Sequence, residues 1–312
     1  MNNFLCELPS LNEALHWFFN EKKNLSFESF RRAISENPSY LVLYCFALLA
    51  VVGITLLALR LILPRGKMAG NRPWGAGEGF LGSLTMFGLV YLVVPTVLLM
   101  SLSLVLYFCG EEMTSSHISA VVMLLSVTCG FVLLLFFYSR RYPQKGDSGI
   151  RGLGFCAHGI IPNLVRGFVL ALLAMPLMVF VITTSMIVFP FFGIEPQTQK
   201  VVTEIEQETN AIYLALACFT AIVGAAVWEE TLFRGLFLQG LKRDFGRFVA
   251  VVLSAGVFAA IHGSITVMPA IFVMGLILAY IYEKTDSLWA SIGFHATFNA
   301  FQIALLLLGR GH

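Results

Sequence analysis

Residues 211–235 read "AIYLALACFTAIVGAAVWEETLFRG". From Ala211 to Trp228 the run carries no charge. It approaches the ~20 mostly apolar residues that a helix needs to cross a bilayer. It then meets Glu229 and Glu230, with Arg234 four positions beyond Glu230. An unpaired charge at that depth costs on the order of 3 kcal/mol or more, so an ionisable group inside a span is a functional-site hypothesis by default.

The rest of the chain reads the same way. Its 312 residues are 58% hydrophobic and 12% charged, with a mean hydropathy of +0.82. A soluble domain is about half apolar and about a quarter charged. The composition therefore predicts an all-α, polytopic membrane protein. About eight spans are expected, over roughly 40–63, 80–108, 117–138, 167–192, 211–236, 247–264, 267–283 and 288–308. The organisation predicted is a polar tail over residues 1–39, N-terminal transmembrane helices over 40–149 and a core over 150–308. The tail segment "LNEALHWFF" has the pattern of an interfacial helix.

Charge excludes one class of partner and orients the chain. The net charge is +2, and no dense Lys/Arg block offers a nucleic-acid face. Basic residues cluster in the odd-numbered connections: Arg65, Lys67 and Arg72, then Arg140, Arg141 and Lys145, then Lys242, Arg243 and Arg247. The even ones carry Glu111, Glu112, Glu204, Glu206 and Glu208. The positive-inside rule puts the odd connections in the cytoplasm and both termini outside. Arg60, near the end of its span, is expected to snorkel. The six cysteines are scattered, without a C-x-x-C pair, and read as small buried hydrophobes.

Three polar clusters interrupt the last four spans: Glu229, Glu230 and Arg234; Phe258 and His262; His295 and Asn299. Within each cluster, residues four apart share a helix face. The chain is expected to turn near Phe245–Gly246. Glu229 and His262 lie about 16 residues to either side of that turn, about 24 Å along each helix, so an antiparallel pair brings them level. His295, about nine residues past a turn near Thr285–Asp286, lies at a similar depth.

One glutamate can pair with Arg234, which makes it a poor base, while its neighbour, about 100° round the helix, faces a desolvated cavity. The latter can take a proton from water, and imidazole and amide groups can steady a developing oxyanion. The set suits hydrolysis of an amide bond. A Zn²⁺ held by Glu229, His262 and His295, with a place left for water, is the competing account. Two non-enzymatic classes also use such residues. An immunity or scaffold protein would bind a partner in the polar cavity. A proton-coupled transporter would use them as a relay, although no inverted repeat is visible.

The three motifs together carry a resemblance. "EETLFR", "FAAIH" and "HATFN" follow, in order and spacing, the E-E-x-x-x-R, F-x-x-x-H and H-x-x-x-N/D pattern of the CPBP family, the CAAX proteases and bacteriocin-processing enzymes. The resemblance spans roughly residues 150–308. It implies an intramembrane endopeptidase similar to the type II CAAX prenyl endopeptidases. By motif position Glu229 is the base, and Glu230 and Arg234 are its paired partners. His262, His295 and Asn299 polarise the scissile carbonyl, and Phe258 stands beside the substrate. The implied substrate is a peptide or membrane protein, lipidated in the CAAX case, reached from membrane lipid.

Overall fold

The computed structural model describes residues 39–63, 75–99, 115–141, 150–155, 159–195 and 199–310. Expectations for the tail over 1–38 and for much of the first three connections lie outside these residues. Every regular element among the described residues is a helix. Helices α1 (Ser39–Ile62), α2 (Ala76–Gly88, continuing through a π turn at Leu89–Val93 to residue 99) and α3 (Ser115–Arg141) form the N-terminal part. Helix α4 (Ile160–Val188) follows, then short α5 (Lys200–Gln207), α6 (Ala211–Phe245), α7 (Arg247–Ala260), α8 (Met268–Thr285) and α9 (Leu288–Gly309). Among the described residues, four stretches are long and apolar enough to span a membrane: Ile160–Phe192, Ala211–Phe245, Met268–Thr285 and Leu288–Gly309. Shorter apolar helices cover Val51–Ile62, Val121–Phe136 and Arg247–Ala260.

Local chemistry sets the breaks between helices. Asn210 opens α6, its Oδ1 accepting from the amide of Ile212 at 2.9 Å. Gly246 separates α6 from α7 at φ 77°, a region that penalises side chains. Asp286 turns α8 into α9 at φ 49°, a conformation that a short polar side chain tolerates. Both turns fall where the sequence places them. The sixth span does not. It was expected over 247–264, but α7 ends at Ala260. The amides of His262 and Gly263 turn back onto Ala259 and Ala260, and Gly263 takes φ 69°. His262 therefore sits on non-helical backbone, not on the face of a helix. Non-helical backbone is tolerated at membrane depth when protein buries its polar groups. Here the hydroxyls of Ser264 and Thr266 are buried and lie 3.1 Å apart.

Helices α4 and α9 cross on glycine. A Cβ at Gly293 would stand 2.6 Å from Leu164 O, and one at Gly167 would stand 2.6 Å from Phe294 N. Small residues let backbones approach where lipid gives no hydrophobic drive to associate. This crossing fixes the height of His295, two residues beyond Gly293. The outer surface carries exposed large apolar side chains such as Leu57, Leu172, Phe248 and Ile161. A belt of that kind suits contact with lipid tails.

Candidate active site

The site is built around an irregular stretch of α6. The α-helical turn Ala225–Glu230, which carries both glutamates, lies between π turns at Thr220–Gly224 and Thr231–Phe237. A π turn breaks the regular i→i−4 ladder, and such turns recur at functional sites. Side chains from neighbouring helices satisfy carbonyls in these turns. Leu232 O accepts from Ser83 Oγ at 3.5 Å and Phe233 O from Ser254 Oγ at 3.4 Å. Ala221 O accepts from Asn299 Nδ2 at 2.8 Å.

The two glutamates face different surroundings. Glu230 is fully buried. Its Oε1 accepts from Arg234 NH1 at 3.0 Å and lies 3.0 Å from His295 Nδ1. Arg234 is itself fully buried. Its NH2 donates to Gly275 O on α8 at 3.3 Å, and its guanidinium stands 4.3 Å from the centre of the Phe258 ring. Glu229 is partly accessible. Its Oε2 is buried without a hydrogen-bond partner. That oxygen lies 3.8 Å from His262 Nε2 and 3.9 Å from His295 Nε2.

Both imidazoles are anchored through Nδ1. His262 Nδ1 meets Phe258 O at 2.7 Å; the carbonyl can only accept, so this nitrogen carries the proton. His295 Nδ1 is held by Glu230 in the same manner. The two Nε2 atoms are thereby turned to Glu229. A separation of 3.8–3.9 Å exceeds a hydrogen bond and leaves room for a bridging group.

All three sequence clusters thus meet. Asn299 reaches the same region, but the bond it makes secures the first π turn. Phe258 is fully buried. Its ring lies 4.8 Å from the His262 ring and 5.9 Å from the His295 ring, forming a floor beneath them. Sequence reasoning missed the Gly275 carbonyl and the whole of a second buried cluster. There Glu283 Oε1 accepts from Lys242 Nζ at 2.7 Å and Gln239 Nε2 at 3.1 Å, and Oε2 from Arg247 Nε at 2.8 Å. Gln239 and Lys242, three apart near the end of α6, were the available signal.

Two imidazoles and a carboxylate are donors of the type that zinc takes. Among the described residues, however, no group of three or more His, Cys, Asp or Glu side chains is arranged to hold a metal ion. The chemistry derived below runs through water and this chain's own side chains.

Comparison with known proteins points to membrane proteases. Residues 211–301 match the family model described as type II CAAX prenyl endopeptidase Rce1-like. The chain is 25% identical over 118 residues to YdiL of Bacillus subtilis, a candidate membrane peptidase; the alignment covers 37% of this chain and 46% of YdiL. It is 25% identical over 226 residues to the membrane-embedded CAAX protease MroQ of Staphylococcus aureus, covering 69% of this chain and 84% of MroQ. No solved structure matches the chain significantly. These matches support a membrane protease, and they bear out the resemblance to the CAAX proteases that the three motifs carry, a likeness seated on residues 211–301, which hold the site.

Proposed function

We propose that the chain is an intramembrane endopeptidase that hydrolyses a peptide bond with water activated by Glu229. One observation carries the reading: a buried, unpartnered carboxylate oxygen faced by two imidazole nitrogens whose opposite ring atoms are fixed. Water held between Glu229 Oε2 and the Nε2 atoms gives its proton to Glu229 as it attacks the scissile carbonyl. The resulting oxyanion is stabilised by a protonated imidazole donating from Nε2, because each Nδ1 is already engaged. Glu229 then passes the proton to the leaving amine. Glu230 does not serve as the base: Arg234 and His295 share its Oε1, and although its Oε2 also lacks a partner, the two imidazole Nε2 atoms face Glu229 instead.

The substrate class follows from the family likeness and from the site's apolar setting: a peptide or membrane-protein segment that reaches it from lipid, with a prenylated C-terminal peptide as the first probe. Glu229→Gln keeps the shape and loses the base. It should lower kcat by about 10²–10⁴-fold, the usual range for a positioned acid–base group, with unchanged expression and folding. Cleavage at the wild-type rate by this variant would remove Glu229 from the mechanism. Wild-type turnover that survives a chelator is expected of the water mechanism. Loss with the chelator and recovery with added Zn²⁺ would replace it with a metal-assisted one.

A further inference from the structure

A groove between α1, α4 and α8 lies apart from the glutamates. It encloses about 300 Å³. Leu56 and Leu59 of α1, Leu177 of α4, and Val273 and Ile277 of α8 form its walls. Leu56 is 61% exposed at the rim, so the groove is open on that side. Two lining residues carry a side-chain oxygen, Thr55 and Tyr280. The Thr55 hydroxyl is spent on its own helix, where it donates to Val51 O at 2.9 Å. The walls therefore suit an aliphatic occupant, which loses nothing by leaving water or headgroups behind.

Cations stand at one end. On α8, Lys284 Nζ lies 5.8 Å from the centre of the Tyr280 ring. On α1, Arg60 is exposed and lies four residues beyond Leu56, on the same helix face. After α1 the described chain resumes at α2, where the Ala76 amide donates to Asp244 Oδ2 at 2.6 Å, two residues past Lys242 of the Glu283 cluster. The ends of α1 and α8 thus fall on one side, the side that the positive-inside rule assigns to the cytoplasm. Glu283, beside Lys284, has both carboxylate oxygens engaged by Lys242, Gln239 and Arg247, so its charge is met elsewhere.

We infer that this groove binds one acyl chain of an anionic phospholipid, with the lipid phosphate held by Lys284 and Arg60. An apolar trough with cations at its membrane-surface end matches such a lipid in both parts. A zwitterionic lipid would bring a cation of its own to that end. The prenyl chain of a substrate suits the walls too, but its peptide would have to reach Glu229. Gly275, whose carbonyl holds Arg234, is two residues from both Val273 and Ile277 and so lies on the opposite side of α8, against Ala255 of α7. Leu59 already belongs to the buried core while Leu56 does not. A bound chain covers Leu56 and fastens α1 to α4 and α8. The inference does not depend on the protease reading.

The test uses the full chain purified in detergent, with dioleoyl phosphatidylglycerol and dioleoyl phosphatidylcholine as probes. Native mass spectrometry reads the lipid retained, and thermal melting reads its effect. Wild type should retain one phosphatidylglycerol in preference to phosphatidylcholine, and its midpoint should rise with phosphatidylglycerol. Arg60→Gln and Lys284→Gln should each lower the affinity for phosphatidylglycerol about fivefold, the scale of one basic group at a membrane surface, without changing the lipid-free midpoint. Leu56→Trp fills the groove from its exposed rim; it should fold and lose the retained lipid while both cations remain.

Equal retention of the two lipids overturns the anionic assignment. Retention of phosphatidylglycerol by Leu56→Trp at the wild-type level overturns the groove, since binding would then be peripheral. A farnesyl cysteine methyl ester that displaces phosphatidylglycerol from wild type, and binds the double glutamine variant as tightly, would replace the phospholipid with a prenyl chain.

Discussion

Among the described residues two ionic clusters rooted on α6 are finished differently, one joining α6 to α9 through Glu230 and His295 and the other joining it to α7 and α8 through Glu283. Around Glu283 both carboxylate oxygens are engaged, by Lys242, Gln239 and Arg247, and one polar atom of the cluster, Gln239 Oε1, lacks a hydrogen-bond partner. Around Glu229 and Glu230 three polar atoms lack hydrogen-bond partners: Glu229 Oε2, Glu230 Oε2 and Arg234 Nε. A buried carboxylate with both oxygens satisfied has little left to offer a reactant, and it ties three helices together. A buried polar atom left unmet costs about 1–3 kcal/mol. Such a cost persists where the atom has work to do during a reaction. The Glu283 cluster reads as a clasp and the Glu229 cluster as an unfinished constellation, which the proposed mechanism completes with water and substrate.

The largest stability effect is expected at the join within the site itself. Arg234→Ala leaves Glu230 as a fully buried charge with only His295 beside it, and it removes the bond to Gly275 and the cation over Phe258. Breaking one side of a buried pair costs about 3–5 kcal/mol, so thermal melting in detergent should show a large fall. Glu229→Gln should melt no lower than wild type, because it neutralises a carboxylate oxygen that has no hydrogen bond to lose. A melting loss as large for Glu229→Gln as for Arg234→Ala would erase the distinction between support and chemistry.

Much of this was legible in the sequence for a physical reason. Charged residues in apolar runs stand out, and i,i+4 spacing is geometry a helix must honour. Glu230 and Arg234 therefore pair as expected, and the turns at Gly246 and Asp286 follow from local backbone preference. What stayed hidden depends on tertiary contact. The helix carrying "FAAIH" stops at Ala260, a break that needs the buried Ser264–Thr266 contact to be tolerated. Of the consecutive small residues Ser254, Ala255 and Gly256 in α7, Ala255 meets Gly275, but Gly256 faces open space. The close crossing of α4 and α9 uses Gly167 and Gly293, 126 positions apart along the chain, which no local pattern marks. Lys242 was read as a cytoplasmic charge at the end of α6, yet it is buried against Glu283, a pairing 41 residues away.

A smaller effect is expected at the clasp. Glu283→Gln keeps the volume and one acceptor, but it turns an amide N–H₂ toward a cation and leaves Lys242 buried with reduced compensation. The expected loss is about 1–3 kcal/mol, seen as a lower melting midpoint. The kcat of the folded fraction should stay close to wild type, since no atom of this cluster faces Glu229. A fall in kcat larger than the fall in folded fraction would show that the clasp tunes the site as well as holding it.

A small stability loss is expected at Asn299, and it separates two roles for that residue. Motif position assigns Asn299 to the scissile carbonyl, whereas its Nδ2 donates to Ala221 O in the π turn upstream of the glutamates. Asn299→Ala deletes that bond and strands a carbonyl, which should cost about 1 kcal/mol in thermal melting. If the bond to the π turn is the whole contribution, kcat falls only about tenfold, the effect of a slightly misplaced Glu229 with a base still present. If Asn299 also touches the reacting carbonyl, the melting loss stays small while kcat falls a hundredfold or more, the measured scale for removing one oxyanion donor, about 10²–10³. Asn299→Asp sharpens the choice. It sets an acceptor against the Ala221 carbonyl, so a purely structural role predicts that it melts lower than Asn299→Ala, whereas a role at the carbonyl predicts that its kcat is the more damaged quantity.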